Sequence, residues 1–141
     1  MKNKGFTLNE VLAVMALLAF VGMIATPVIV NVITDTREEN RQNKMKTYVK
    51  EIYNAYTLTI TENNFYSFNS EEKGGITENN IINFTNDWLQ KNVDVLGVNC
   101  SGENNFSTVF LDIYQEKITI DECIVDNNAK YAYINEEVIK K

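Results

Sequence analysis

The chain is 141 residues long, with 13 Lys and Arg against 19 Asp and Glu, a formal net charge of −6 and no histidine. The missing histidine excludes Ser-His and Cys-His nucleophilic catalysis and every His-ligated zinc or iron site. The acidic balance argues against binding nucleic acid by charge attraction.

Apolarity is concentrated at the start. Met-Lys-Asn-Lys-Gly leads into Phe6-Thr7-Leu8-Asn9-Glu10, and from Val11 to Val30 twenty residues follow without a charge. That run is long enough to cross a hydrocarbon core of about 30 Å as a helix. Extended from Phe6 to Ile33, the helix would measure roughly 42 Å at ~1.5 Å per residue. Lys2 and Lys4 precede the run, while Asp35, Arg37, Glu38 and Glu39 follow it in mixed sign. The positive-inside rule then puts the N-terminus in the cytoplasm and residues after 34 outside. A secretory signal peptide would need a shorter apolar region ending in a small-residue cleavage site, and Pro27-Val28-Ile29-Val30 is not one. A plain anchor explains the length but not Glu10, because a carboxylate at the edge of an apolar helix is costly without a partner.

Gly5-Phe6-Thr7-Leu8-Asn9-Glu10 followed by about twenty apolar residues resembles the N-terminal signature of type IV prepilins and pseudopilins. The resemblance covers roughly residues 1 to 33, and Asn9 stands where many members carry an apolar residue. It implies cleavage between Gly5 and Phe6 by a prepilin peptidase, removal of a basic leader over residues 1–5, and N-methylation of Phe6. It also implies assembly through the helix, with the Phe6 amine and Glu10 as partners between neighbouring subunits. Glycine before the cut gives a protease close backbone access. A buried ammonium needs a carboxylate, so the pair would set the register of one helix on the next. Pro27 removes one intrahelical hydrogen bond. The family's helix melts near this region on assembly, so Gly22 to Pro27 is the candidate stretch.

Residues 34–44 are entirely polar and compatible with a solvated helical continuation. Met45, Tyr48, Val49, Ile52, Tyr53, Tyr56 and Ile60 then recur at steps of three and four, which predicts an amphipathic helix to about Thr61. Residues 62–75 read as a loop rich in Asn, Ser and Gly. Thr77-Glu78 can open a short helix burying Ile81, Ile82, Phe84, Trp88 and Leu89, and Thr85-Asn86-Asp87 can cap a shorter one instead. Beyond Val93 the pattern predicts strands at 95–100, 106–114, 117–125 and 130–134, with turns at Gln115-Glu116 and Asp126-Asn127-Asn128. The fold class is therefore α+β, a long N-terminal helix packed on a small antiparallel sheet, which also fits the lollipop shape the resemblance implies. Its expected divisions are a leader (1–5), a transmembrane and assembly helix (6–33), an amphipathic continuation (34–61) and a globular head (62–141).

Two cysteines are too few for a structural zinc site. A bond between Cys100 and Cys123 would close a loop of about 24 residues and stabilise by roughly 3 kcal/mol in the chain-entropy model. The topology permits oxidation; two buried free thiols are the alternative, and pilins often carry such a bond. Gly74-Gly75 lacks the Gly-Lys-Ser/Thr frame of a phosphate loop, and no acidic stretch has the ligand alternation of an EF-hand. No metal or cofactor is expected, and no catalysis.

The resemblance implies a structural subunit of a type IV pilus, held in the bacterial cytoplasmic membrane before processing and extracellular afterwards. Its partners would be further copies of itself, the prepilin peptidase, and the assembly platform with its ATPase. Adhesion and twitching motility are the expected uses. A minor pilin or a pseudopilin of a secretion or DNA-uptake machine is the alternative within the same architecture. Residues 34–141 hold 11 basic and 18 acidic residues, which gives DNA no basic surface. A membrane-anchored domain acting through paired carboxylates is the alternative of another class.

Overall fold

A computed structural model describes residues 5, 7–61, 81–102 and 106–141, the side chains of 59–61 excepted. Its elements in order are α1 (Leu8–Thr61), β1 (Ile81–Phe84), α2 (Asn86–Asn92), β2 (Val98–Asn99), β3 (Val109–Asp112), β4 (Lys117–Val125), β5 (Ala129–Ile134) and β6 (Glu137–Lys140). The fold is α+β, as the switch of periodicity from 3.6 to 2 predicts. By contacts the chain divides into Met1–Glu39 and Asn40–Lys141, and α1 runs through the boundary.

The first unit is helix without a core. Every large apolar side chain from Leu8 to Ile33 is exposed, from 43% at Val11 to 78% at Leu8. An all-round apolar helix belongs in lipid or among other helices. Its threonines satisfy their hydroxyls inside the helix: Thr26 Oγ1 donates to the Gly22 carbonyl at 2.7 Å and Thr34 Oγ1 to the Val30 carbonyl at 2.9 Å. Such back-bonding is how a hydroxyl is tolerated where no water can reach it.

The second unit is built on one antiparallel sheet in the order β1-β3-β4-β5-β6, with β2 also paired to β4. Met45, Tyr48, Val49, Ile52 and Tyr56 of the predicted stripe are buried on α1, with Ala55 beside them, and Tyr53 packs partly against the same core. Ile60 belongs to that stripe by spacing and its side chain lies outside the described residues. From the sheet come Ile82, Leu111, Ile118, Ile120, Val125 and Tyr131, all fully or almost fully buried.

Strand β4 carries the main irregularity. Ile120 pairs with Tyr133 and Cys123 with Tyr131, so Asp121 and Glu122 together face Ala132 alone. This is a β-bulge, one extra residue on one strand. Because side chains alternate with period two, the extra residue moves Cys123 and Val125 onto the face already held by Ile118 and Ile120. Thr108 supports the bulge from the other side: its carbonyl accepts from Asp121 N at 3.0 Å and its hydroxyl donates to the Glu122 carbonyl.

The structure corrects several sequence expectations. Ile81–Phe84 is not helical; it is a strand paired to β3, with Ile82 and Phe84 inward, as β-branched and aromatic residues favour. The helix begins instead at the alternative cap, where Thr85 accepts from Trp88 N, and Phe84 packs on Trp88 with ring centroids 4.9 Å apart. Thr77-Glu78 and the 62–75 loop lie outside the described residues. The expected strands 95–100 and 106–114 shorten to Val98–Asn99 and Val109–Asp112; Gly97 (φ +85°) turns the chain just before the first, and the turn held by Asp112 ends the second. Strand 130–134 gains Ala129, and β4 has its expected bounds.

β6 was not expected. It pairs with β5 through a two-residue turn at Asn135 (φ 52°) and Glu136 (φ 68°). Both residues are in the left-handed region, which a hairpin of this kind requires and which glutamate seldom adopts. The β4–β5 turn uses Asp126 (φ 54°) and Asn127 (φ 55°), residue types that tolerate the same conformation. In the β3–β4 turn Asp112 Oδ1 accepts from Tyr114 N and Gln115 N, each at 3.0 Å.

Candidate functional site

The chemistry-bearing segment is the start of α1. Gly5 is exposed and non-helical, Thr7 precedes the first helical residue, and Phe6 lies outside the described residues. The helix begins where Thr7-Leu8-Asn9-Glu10 spells a capping box, Thr-x-x-Glu before an apolar run. Glu10 Oε2 accepts from Thr7 N at 2.7 Å and from Thr7 Oγ1 at 2.9 Å. In return Thr7 Oγ1 accepts from Glu10 N at 3.4 Å, and the Thr7 carbonyl accepts from Val11 N at 3.2 Å. Two of the helix's orphan donors are thereby satisfied.

The segment that follows is long and apolar enough to span a membrane. Gly22 and Pro27 lie within it, inside α1, and α1 is helical on both sides of Pro27. A side chain added at Gly22 would meet nothing within 4 Å. Its carbonyl, besides its place in the helix, receives the Thr26 hydroxyl.

Residues 1–26 match the family model described as the prokaryotic N-terminal methylation motif. The chain carries the type IV prepilin signature. Those residues are the motif of a prepilin-peptidase substrate, and the apolar helix that follows fits membrane anchoring. The prepilin motif points to a structural subunit, to peptidase processing and to pilus assembly. No curated protein and no solved structure matches the chain.

In the second unit Cys100 and Cys123 are joined by a disulfide that is fully buried, tying the end of β2 to β4. A second tie joins α1 to the β4–β5 turn. Asp126 pairs with Lys44 Nζ through Oδ1, and Arg41 Nε lies 3.7 Å from its Oδ2. Gly97 (φ +85°) closes on the same turn, its carbonyl accepting from Asp126 N at 2.7 Å. A β-carbon at Gly97 would come within 2.8 Å of Asp126 Oδ1.

The paired-carboxylate alternative finds Glu116 and Glu136 together at a surface depression of about 260 Å³, with Tyr53, Lys117 and Asn135. Lys117 Nζ donates to Asn135 Oδ1 at 2.9 Å, and Tyr53 donates its hydroxyl to the Glu116 carbonyl. The Tyr53 hydroxyl is pushed up by burial first and by the two carboxylates to a smaller extent. Among the described residues no three metal-ligating side chains come together.

Sequence reasoning missed Thr7 as a partner of Glu10, although the Thr-x-x-Glu spacing was there to find it. It placed Asp126 in a turn but missed its pairing with Lys44 and Arg41, since Lys44 lies 82 residues away in the chain.

Proposed function

We propose that the chain is a structural subunit of a type IV pilus, cut after Gly5, methylated on Phe6 and polymerised through its N-terminal helix into an extracellular filament. Hydrolysis of the Gly5–Phe6 amide releases residues 1–5 and leaves an α-ammonium on Phe6. In an apolar layer that cation needs a counter-ion, and Glu10 of a neighbouring subunit supplies it. Residues 6–33 form the assembly helix, 34–61 continue it, and 62–141 give the filament its surface for adhesion or twitching motility. Gly22 to Pro27 is the stretch that loosens on assembly, since Pro27 lacks the amide hydrogen a regular helix would use. Partners are further copies of the chain, the peptidase, and the platform and ATPase that extract subunits from the cytoplasmic membrane.

The observation that carries the reading is a methylation motif followed by an apolar helix with no buried large side chain, which needs lipid or other helices around it. The test is the intact mass of the protein in sheared surface material and in membranes. Loss of residues 1–5 with one added methyl in the sheared fraction supports the filament. The processed mass confined to membranes favours a pseudopilin or minor pilin, and an uncut mass in cells with a prepilin peptidase overturns processing altogether.

A further inference from the structure

Both bonds from Thr7 end on the same oxygen of Glu10. Thr7 N and Thr7 Oγ1 reach Oε2 at 2.7 and 2.9 Å, and Oε1 accepts no hydrogen bond among the described residues. We propose that Thr7 is a positioning residue for assembly, fixing the Glu10 carboxylate so that one oxygen is held within the subunit and the other is presented to the incoming amine of the next. The proposal rests on the reading that Glu10 receives a neighbour's Phe6 amine, and it names what prepares Glu10 for that encounter.

Three physical arguments support it. A carboxylate has two oxygens and about four lone-pair sites, so an internal bond and an external ion pair are compatible. A free glutamate side chain loses rotamer freedom when it pairs; one already held loses less, which favours association. A lone subunit in the membrane has no neighbour and little water, and Thr7 gives the carboxylate two donors during that stage. The arrangement also survives processing. Cleavage puts the new amine on Phe6, so the Thr7 N–H remains an amide hydrogen and the Thr7 hydroxyl is untouched.

Four variants of the full chain, expressed in a filament-forming cell with its peptidase, test this. Thr7→Ser keeps the hydroxyl donor and is expected to assemble as the parent does. Thr7→Val removes it; the chain should still lose residues 1–5, with sheared filament falling about fivefold and processed subunit accumulating in the membrane. Thr7→Asp separates positioning from simple helix capping. Aspartate caps a helix well but has no proton to donate to Glu10 and repels it, so its yield should fall at least as far as that of Thr7→Val. Glu10→Gln keeps a capping-box acceptor and loses the charge, and it should assemble poorly.

Full filament yield from Thr7→Val or Thr7→Asp overturns the positioning role while leaving the pairing intact if Glu10→Gln is defective. A defective Thr7→Ser overturns it as well. Normal filaments from Glu10→Gln overturn the pairing itself and the proposal with it. Loss of cleavage in Thr7→Val would put Thr7 in recognition by the peptidase instead, and that also overturns the proposal.

Discussion

The two units of this chain solve opposite problems with the same kinds of side chain. Between Leu8 and Ile33 no large apolar residue is buried, whereas from Met45 onward the apolar stripe of α1, the sheet and a disulfide enclose one another. Burial of apolar area is the main favourable contribution to folding. The second unit therefore draws its stability from its own chain, and the first has to draw it from lipid or from other helices around it. One helix, α1, contains both regimes, so helix propensity cannot be what separates them. What changes along it is the arrangement of polar residues: none on any face before Asn31 except Asn9, Glu10 and Thr26, then polar all round, then polar on one face only.

A charge in the middle of the apolar run should break the comparison most sharply. Leu18→Arg adds about 3 kcal/mol to the cost of membrane insertion. It is expected to abolish retention in alkali-washed membranes while the near-ultraviolet circular dichroism of the second unit persists. Loss of both signals together would mean that the second unit depends on the first. Next in size is the disulfide. Reduction, or Cys100→Ala with Cys123→Ala, should destabilise the second unit by about 3 kcal/mol, read as a lower Tm in detergent, with no change in membrane retention. An unchanged Tm would mean that packing around the two sulfurs, and not the bond, holds β2 to β4.

A smaller effect, of opposite sign, is expected at Tyr48. Its side chain is fully buried and its hydroxyl has no hydrogen-bond partner among the described residues. Tyr48→Phe should stabilise by about 1 kcal/mol, because the desolvated hydroxyl is a cost with nothing to offset it. Burial also pushes the Tyr48 hydroxyl far above its ordinary value near 10, and raises those of Tyr53, Tyr56 and Tyr133. The sign follows from proton binding: above the unfolded value the unfolded chain loses these protons while the folded one retains them. Stability is therefore complete below about pH 10 and falls as the pH rises beyond it. In urea titrations at pH 8 and pH 11, Tyr48→Phe should lose less stability than the parent; equal losses would assign the alkaline sensitivity to other groups.

The smallest effect is expected at Asp126. Asp126→Asn removes the charge facing Arg41 and Lys44, which are partly exposed, so about 0.5 kcal/mol is expected. The loss should shrink at 1 M salt; a loss independent of salt would mean that the backbone of the turn, not the ion pair, was disturbed.

How much of this was readable beforehand depended on whether a feature was local. The membrane-length run, the stripe from Met45 to Tyr56 and the bounds of β4 each follow from spacing within one segment. β1 was not legible because Ile81, Ile82 and Phe84 satisfy a helical face as well as an alternating one, and only pairing with β3 decides between them. β6 escaped because its turn places Glu136 at φ 68°, a conformation that its side chain does not advertise. At the candidate site Gly5, Glu10 and Pro27 stood out by chemistry. The bond from Thr7 did not, because Thr-x-x-Glu is a capping box only where the helix starts at Leu8, and the apolar run does not mark that start.

The bulge in β4 ties the disulfide to a choice of register. Asp121 and Glu122 share one partner, Ala132, and that sharing keeps Cys123 inward beside Cys100. If both residues paired one to one with β5, strict alternation from Ile120 would turn Cys123 and Val125 outward and Ile124 inward. Cys100 would then face an empty position. Such a chain would display a free thiol on its outer surface, where oxidation joins one molecule to another. The hold of Thr108 on the Asp121 amide and the Glu122 carbonyl therefore guards against a slip that would convert an internal staple into a cross-link between copies, with every residue unchanged.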